Sequence, residues 1–180
     1  MSFNFTEFPI LETERLTLRK TLKSDGPVMF FLRTDAEVNK YINRPNPHKT
    51  IAEAEAFIAK ITKGIEVGTD LTWGIALKGE PELIGSICLW NFSEDRRVAE
   101  VGYSLSPKYH NQGIMSESLK TVLNFGFGEL NLEEIEAYTD RSNESSKKLL
   151  TKAKFELVEG KVDEGFPDNV VFALKKTELD

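Results

Sequence analysis

The sequence holds one cysteine and two histidines in 180 residues. A lone thiol forms no internal disulfide, and three such side chains do not build a closed zinc site, so a metal-free protein of a reducing, cytoplasmic compartment is expected. Nowhere do about eighteen apolar residues follow one another, and Met1 to Phe8 lacks a basic stretch followed by an apolar one, so neither a membrane span nor an export signal is expected. Charge of one sign is never concentrated: 23 basic residues are interspersed with 29 acidic ones for a net charge of −6. That balance argues against a nucleic-acid surface and suits a cationic partner better. Repeats and low-complexity linkers are also missing, and the length fits one compact domain spanning residues 1–180.

What is present is a core-forming composition, 40% hydrophobic and 10% aromatic, arranged with clear periodicities. Glu14 to Arg19 alternates polar and apolar residues, which predicts a strand with one wet face. Two short helices are expected next, over Val28 to Leu32 and Ala36 to Asn43, the second ended by Pro45 and Pro47. Ile51, Ala54, Phe57, Ile58, Ile61 and Ile65 follow helical spacing, with Thr50 as N-cap, Glu53 completing a capping box and an end near Gly68. Runs at Leu71 to Lys78, Glu82 to Trp90 and Arg97 to Leu105 predict an antiparallel meander, its first turn at Gly79-Glu80-Pro81. Met115, Leu119, Val122, Leu123 and Phe127 form a helical stripe that Gly128 can close with a left-handed cap. A strand over Glu133 to Thr139, a helix from Ser142 to about Lys152, and a hairpin of Phe155 to Val162 with Val170 to Lys176 complete the chain. The order predicts an α+β fold, a mixed and mostly antiparallel sheet of about seven strands flanked by about four helices.

The junction from Leu105 to Ser118 carries the chemistry. A strand end, a turn and the start of an amphipathic helix leave unpaired, partly positive backbone N–H groups where an anion binds without basic side chains. Gly113, lacking a Cβ, lets a phosphate approach the main chain. On spacing alone, the simpler reading is that Gly113 only opens the turn and Ser116 only caps the helix.

Pro107 to Ser118 resembles the acetyl-CoA signature of the GNAT N-acetyltransferase superfamily, a Gln or Arg, two residues, Gly, one residue, then Gly or Ala. His110, Gly113 and Met115 stand at the three defining positions and only Gly113 matches strictly. Thr13 to Arg19, Ile84-Gly85, Ala99 to Tyr103, Glu136 to Tyr138, Asn143 to Ser146 and Lys152 to Phe155 resemble, in order, further landmarks of the subgroup that acetylates N-terminal amines of ribosomal proteins, the RimJ/RimL type. In the last of these, Lys154 stands where glycine is usual. The resemblance implies acetyl-CoA as co-substrate, bound by the main chain of Tyr103, Ser104 and Leu105, by the segment His110, Asn111, Gln112, Gly113, Ile114, Met115 and Ser116, and by Asn143. Family likeness alone also suggests a homodimer.

Amide formation from a thioester needs a neutral amine, a polarised carbonyl and a proton for the departing thiolate. Cys88 need not act as a nucleophile and is expected in the core. Near pH 7 roughly a tenth of an α-amine is neutral against about one lysine in a few thousand, so an α-amine asks less of a base. Glu100, on the strand leading to the turn, is the preferred base or water relay, unless it is a rim carboxylate paired with Arg96 or Arg97. Many members of the family protonate the thiolate from a tyrosine seven residues after the Asn that Asn143 matches, but that position is Leu150 here; the resembling subgroup uses a serine three after it, which is Ser146. Ser146 is therefore either the donor or an ordinary residue of a helix's first turn, and Asn143 either a cofactor contact or an N-cap, with Ser142 able to cap instead. Trp73, Trp90, Phe92 and Tyr138 are expected mostly in the core, one or two lining an acceptor cleft. Three functions follow: acetylation of a protein N-terminal α-amine, such as that of a ribosomal protein; acetylation of a polyamine, aminoglycoside or amino acid; or a non-catalytic acyl-CoA-binding module. Asp35 to Thr69 and Gly160 to Asn169 would decide the acceptor.

Overall fold

The structure, a computed structural model, describes residues 7–42 and 47–178. Eight strands form one sheet: β1 (Leu11–Glu12), β2 (Leu16–Lys20), β3 (Asp70–Leu77), β4 (Leu83–Trp90), β5 (Val98–Leu105), β6 (Glu134–Asp140), β7 (Glu156–Leu157) and β8 (Asn169–Lys175). Their order across the sheet is β1-β2-β3-β4-β5-β6-β8-β7. Among the described residues four α-helices accompany them: α1 (Gly26–Thr34), α2 (Ile51–Val67), α3 (Ile114–Gly128) and α4 (Glu144–Lys152).

The expected meander is present: β3, β4 and β5 pair antiparallel, and β2 joins β3 in the same sense. One pairing is parallel, β5 with β6, and parallel neighbours need a crossover, which α3 supplies. That pairing is brief, covering only Val98, Ala99 and Glu100 against Glu134, Ile135 and Glu136. Beyond Glu100, β5 stays hydrogen-bonded to β4 as far as Leu105 but parts from β6.

Side chains alternate along β5, and the alternation decides which layer each one meets. Ala99, Val101 and Leu105 enter the larger core together with Leu119, Val122, Leu123 and Phe127 of α3, and Tyr103 packs against the same core. Glu100, Gly102 and Ser104 point to the opposite face. Trp73 is the largest fully buried side chain; its ring meets Phe125 edge-on at 5.5 Å and its indole N–H donates to Pro9 O at 2.8 Å. A smaller cluster of Met29, Ala54 and Ile58 joins α1 to α2.

Several local expectations need correction. Ala36 to Tyr41 form turns, not a second helix: Asp35 Oδ1 accepts the N–H groups of Glu37 and Val38, both at 3.0 Å, as an N-cap would, but after the helical bond from Asn39 N–H to Asp35 O at 3.0 Å the pairing tightens to three-residue turns such as Ile42 N–H to Asn39 O at 2.9 Å; Asn43 and Pro45 lie outside the described residues. Thr50 does cap α2 and Gly68, at φ 79°, closes it, but Glu53 accepts from Lys49 N–H at 2.6 Å and not from Thr50, so the reciprocal half of the box sits one residue early. Gly128 is not a left-handed cap: Glu129 follows it in right-handed conformation, and the positive φ falls on Asn131. The closing hairpin pairs through only two residues of β7, since the following segment turns at Gly160 and Gly165, both with positive φ. Lys154 adopts the left-handed φ of 68° that a glycine would take there.

Gly85 matters to the site because a Cβ there would stand 2.6 Å from Ser104 O and 2.9 Å from a Leu105 methyl, where β5 approaches its end. Gly85→Ala is expected to cost about 1–3 kcal/mol of stability through overpacking against backbone. A denaturant titration checks this, with a midpoint unchanged from wild type counting against so close an approach.

Candidate functional site

The departure of β5 from β6 opens a cleft of about 1130 Å³. Its wall comprises Glu100 to Leu105 of β5, Ala137 to Asp140 of β6, the turn after β5 and the first turns of α3 and α4, with Tyr41, Trp90, Val162 and Phe166 at the rim.

After Leu105 the chain makes one 3-10 turn, Pro107–Tyr109, before α3 begins. Asn111 at φ 59° and Gly113 at φ 78° are left-handed, and Gly113 is the residue at the N-cap of α3. The first backbone bond of the helix runs from Glu117 N–H to Gly113 O at 3.0 Å. Among the described residues, the main-chain N–H groups of Asn111 through Ser116 have no acceptor within the protein. Together with the helix dipole they form a donor set that fits a diphosphate without a basic side chain.

The loop is braced from outside the cleft. Arg15 Nη1 donates to Gln112 O at 3.0 Å, while its Nε and Nη2 hold Glu117 Oε2 at 2.7 and 2.6 Å. Thr13 Oγ1 donates to the other oxygen of Glu117 at 2.5 Å. His110 Nε2 lies 3.0 Å from Leu105 O, tying the turn to the strand it leaves.

The expected cofactor residues divide accordingly. Tyr103, Ser104, Leu105, His110, Asn111, Gly113, Ile114, Met115, Ser116 and Asn143 all line the cleft. Gln112 does not: its amide Nε2 folds back on Lys108 O at 2.9 Å and its carbonyl faces Arg15. Asn143 is the N-cap of α4, its Oδ1 accepting from Ser146 N–H at 3.1 Å, while Ser142 donates instead to Asp140 Oδ1. The Nδ2 of Asn143 remains available to a ligand.

Two of the expected side chains, Glu100 and Ser146, meet the cleft from opposite faces of β5. Glu100 is not paired with an arginine: Arg97 bonds Glu133 at 2.6 Å and Arg96 lies over the Phe92 ring. Burial pushes the Glu100 carboxyl up to about 7, against hydrogen bonds from Asn91 and Trp90 and with the help of the nearby charges of Asp163 and Glu136. Glu136 stays charged because Lys161 and the Tyr138 hydroxyl outweigh its own burial and hold it below the ordinary carboxylate value. On the other face, Ser146, only 8% exposed, places its Oγ 2.8 Å from the Tyr103 hydroxyl. Burial pushes the phenol up to about 12 despite that bond. Leu150 is fully buried in the core.

Cys88 donates its thiol to Gly102 O at 3.5 Å, and burial with the charge of Asp70 pushes it up to about 12, which suits a packing residue and not a nucleophile. Trp73 is core as expected, whereas Trp90 is 43% exposed beside Glu100. The Tyr103 side chain and the Arg15 brace were not anticipated. Tyr103 sits in the core-facing alternation Ala99-Val101-Tyr103-Leu105, and Arg15 is 102 residues from the glutamate it holds. Among the described residues no cluster of three His, Cys, Asp or Glu side chains could hold a metal ion, and no helix is long and apolar enough to cross a membrane.

Comparison with known proteins is consistent across sequence and structure. A family model described as an acetyltransferase (GNAT) domain matches residues 15–156. The uncharacterized N-acetyltransferase YoaA of Bacillus subtilis (strain 168) is 34% identical over 149 residues, covering 83% of this chain and 84% of its own. The crystal structure of a GNAT-family acetyltransferase from Bacillus anthracis superposes with a TM-score of 0.78 at 25% identity, over 94% of this chain and 100% of that one. RimL, the ribosomal L7/L12 α-N-protein acetyltransferase, solved in complex with coenzyme A, shares the fold at a TM-score of 0.81 and 18% identity, over 96% and 100% of the two chains.

Glu100→Gln separates the carboxylate from its surroundings. A carboxyl raised in the folded state adds stability below its unfolded value near 4.5 and loses that contribution as pH rises through about 7. The amide variant is therefore expected to melt higher than wild type at pH 8, with the gap closing toward pH 4.5. Thermal melts across that range check it, and equal melting at pH 8 would remove the buried charge from the site.

Proposed function

Since the chain belongs to the GNAT acetyltransferase domain family and is an N-acetyltransferase, we propose that it transfers the acetyl group of acetyl-CoA directly to the N-terminal α-amine of a protein, such as a ribosomal protein. The observation that carries this reading is the row of unpaired amides from Asn111 to Ser116 at the head of a cleft that also holds Glu100 and Ser146.

Acetyl-CoA supplies a thioester, an acyl group already activated for attack by nitrogen. The loop amides and the first turn of α3 hold its diphosphate. Below them, the main chain of Tyr103, Ser104 and Leu105, parted from β6, offers an open strand edge to the amides of the pantetheine arm, and one N–H there polarises the thioester carbonyl. Asn143 contributes its Nδ2. Glu100, titrating near neutrality, takes the amine proton directly or through water. An α-amine, neutral at roughly a tenth near pH 7, matches a base of this strength. Ser146 hydrogen-bonds the departing sulfur from the far face of the strand. The cytoplasm is the compartment that supplies both acyl donor and newly made protein.

A second acceptor class is favoured by one observation. Glu37, Asp140, Asp163 and Glu164 join Glu100 on the cleft wall, a set of carboxylates that suits a polyamine or aminoglycoside. Thiol release from acetyl-CoA, measured in parallel with serine- and alanine-initiated peptides, spermidine and an aminoglycoside, separates the two. Turnover with the peptides alone supports the first reading, and turnover with the polycations alone replaces it.

The cofactor site has its own test. Gly113→Ala strains a left-handed residue but adds no charge, whereas Gly113→Glu also sets a carboxylate against Arg15, whose Nη2 would lie 3.4 Å from the new Cβ, and so disturbs the brace that shapes the loop. In a thermal-shift assay with coenzyme A, the alanine variant is expected to keep a reduced stabilisation and the glutamate variant to lose it. Full stabilisation of the glutamate variant would place the diphosphate elsewhere.

A further inference from the structure

The family's usual proton-donating tyrosine is replaced by Leu150, whose side chain is sealed in the core. A tyrosine hydroxyl nevertheless reaches the cleft from another element. Tyr103 of β5 places its Oη 2.8 Å from Ser146 Oγ, and both residues line the cleft where the strands part. Ser146 is fixed at its other end, its N–H bonded to the capping Asn143. We infer that Tyr103 is a positioning residue for proton delivery, the outer member of a two-hydroxyl relay in which Ser146 is the inner member facing the leaving sulfur. This rests on the acetyl-transfer reading of the cleft.

The direction of the bond follows from relative acidity. A phenol is a far stronger acid than an aliphatic alcohol, so Tyr103 donates and Ser146 accepts, which leaves the serine hydrogen free to point into the cleft. Burial keeps the phenol protonated through the neutral range, so the donor is always present. A hydroxyl that accepts one hydrogen bond donates a stronger one, which raises the acidity of Ser146 toward sulfur.

The proton balance closes. The amine nitrogen bonds the thioester carbonyl carbon and gives a proton to Glu100. As the carbon–sulfur bond breaks, its electron pair goes to sulfur, sulfur takes the hydrogen of Ser146, and Ser146 Oγ takes that of Tyr103. The phenolate regains a proton from water in the open cleft, and Glu100 returns one to solvent. Serine acting alone would be left as an alkoxide, a far stronger base than the thiolate it had protonated; passing the charge to the phenol, at about 12, lowers that obstacle, and reprotonation by water completes the step.

The same bond could simply pin α4 to β5, and the ionisation of bound coenzyme A distinguishes the two roles without turnover. Thiolate absorbance in the ultraviolet, followed against pH with wild type saturated by coenzyme A, is expected to appear at lower pH than for free coenzyme A. Tyr103→Phe and Ser146→Ala should each move the transition back toward the free value, and the double variant no further than Ser146→Ala. Melting of the ligand-free protein and the Kd for coenzyme A at neutral pH serve as the fold controls and should stay near wild type. With an acceptor identified by thiol release, Tyr103→Phe is expected to lower kcat about tenfold at unchanged KM for acetyl-CoA, and to add nothing to Ser146→Ala. Wild-type titration matching free coenzyme A, a Tyr103→Phe titration matching wild type, or kcat losses that multiply in the double variant would each overturn the relay while leaving the binding site intact. Failure of wild type to bind coenzyme A would instead sink the reading of the cleft, and the relay with it.

Discussion

The early parting of β5 from β6 is the constraint on which the remainder of the molecule depends. Parallel pairing lasts for three residues, Val98 to Glu100, and then stops while the antiparallel bonds to β4 continue. A strand held on one edge and released on the other exposes main-chain groups that a ligand can pair with, as an added strand would. Because successive side chains alternate, the same opening gives both faces of β5 access to one space. Glu100 enters it from one side and the Tyr103–Ser146 pair from the other. Under the proposed acetyl transfer, a donor threading the gap meets its acceptor and Glu100 on one face and releases its thiol toward the opposite one, with no rearrangement of the sheet.

The electrostatics of the gap are set by graded desolvation. Glu136 lies one strand away from Glu100 and is also partly buried, yet Lys161 and Tyr138 keep it charged. Glu100 lacks such a cation and feels the negative charges of Glu136 and Asp163, so its carboxyl titrates near neutrality. Two glutamates paired across adjacent strands thus behave differently because one has an ammonium group and the other faces the cleft.

Local signals carried most of the fold. Thr50 and Gly68 mark both ends of α2 because an N-cap hydroxyl and a left-handed glycine act within one turn of the helix they bound. The turn before α3 was legible for the same reason: its left-handed glycine and the helix after it are neighbours in the chain. How far a helix continues was harder to read: Asp35 caps the segment after α1 as a helix start would, yet the pairing tightens into turns within a few residues. Least legible were features made by residues far apart. The length of the β5–β6 pairing depends on a partner more than thirty positions away, and the alternation along β5 assigned Tyr103 to the core without revealing that its hydroxyl surfaces beside Ser146.

The brace of Arg15 on the loop has a consequence for assembly of the protein. Gln112 and Glu117 are held by side chains of residues 13 and 15, roughly a hundred positions earlier. Contacts so distant in sequence exist only where the intervening strands bring the two segments together, and the loop-closure entropy they cost is offset by the rest of the fold. The shape of the loop is therefore a property of the assembled sheet, and the short helix-turn segment taken by itself lacks the groups that hold it in place.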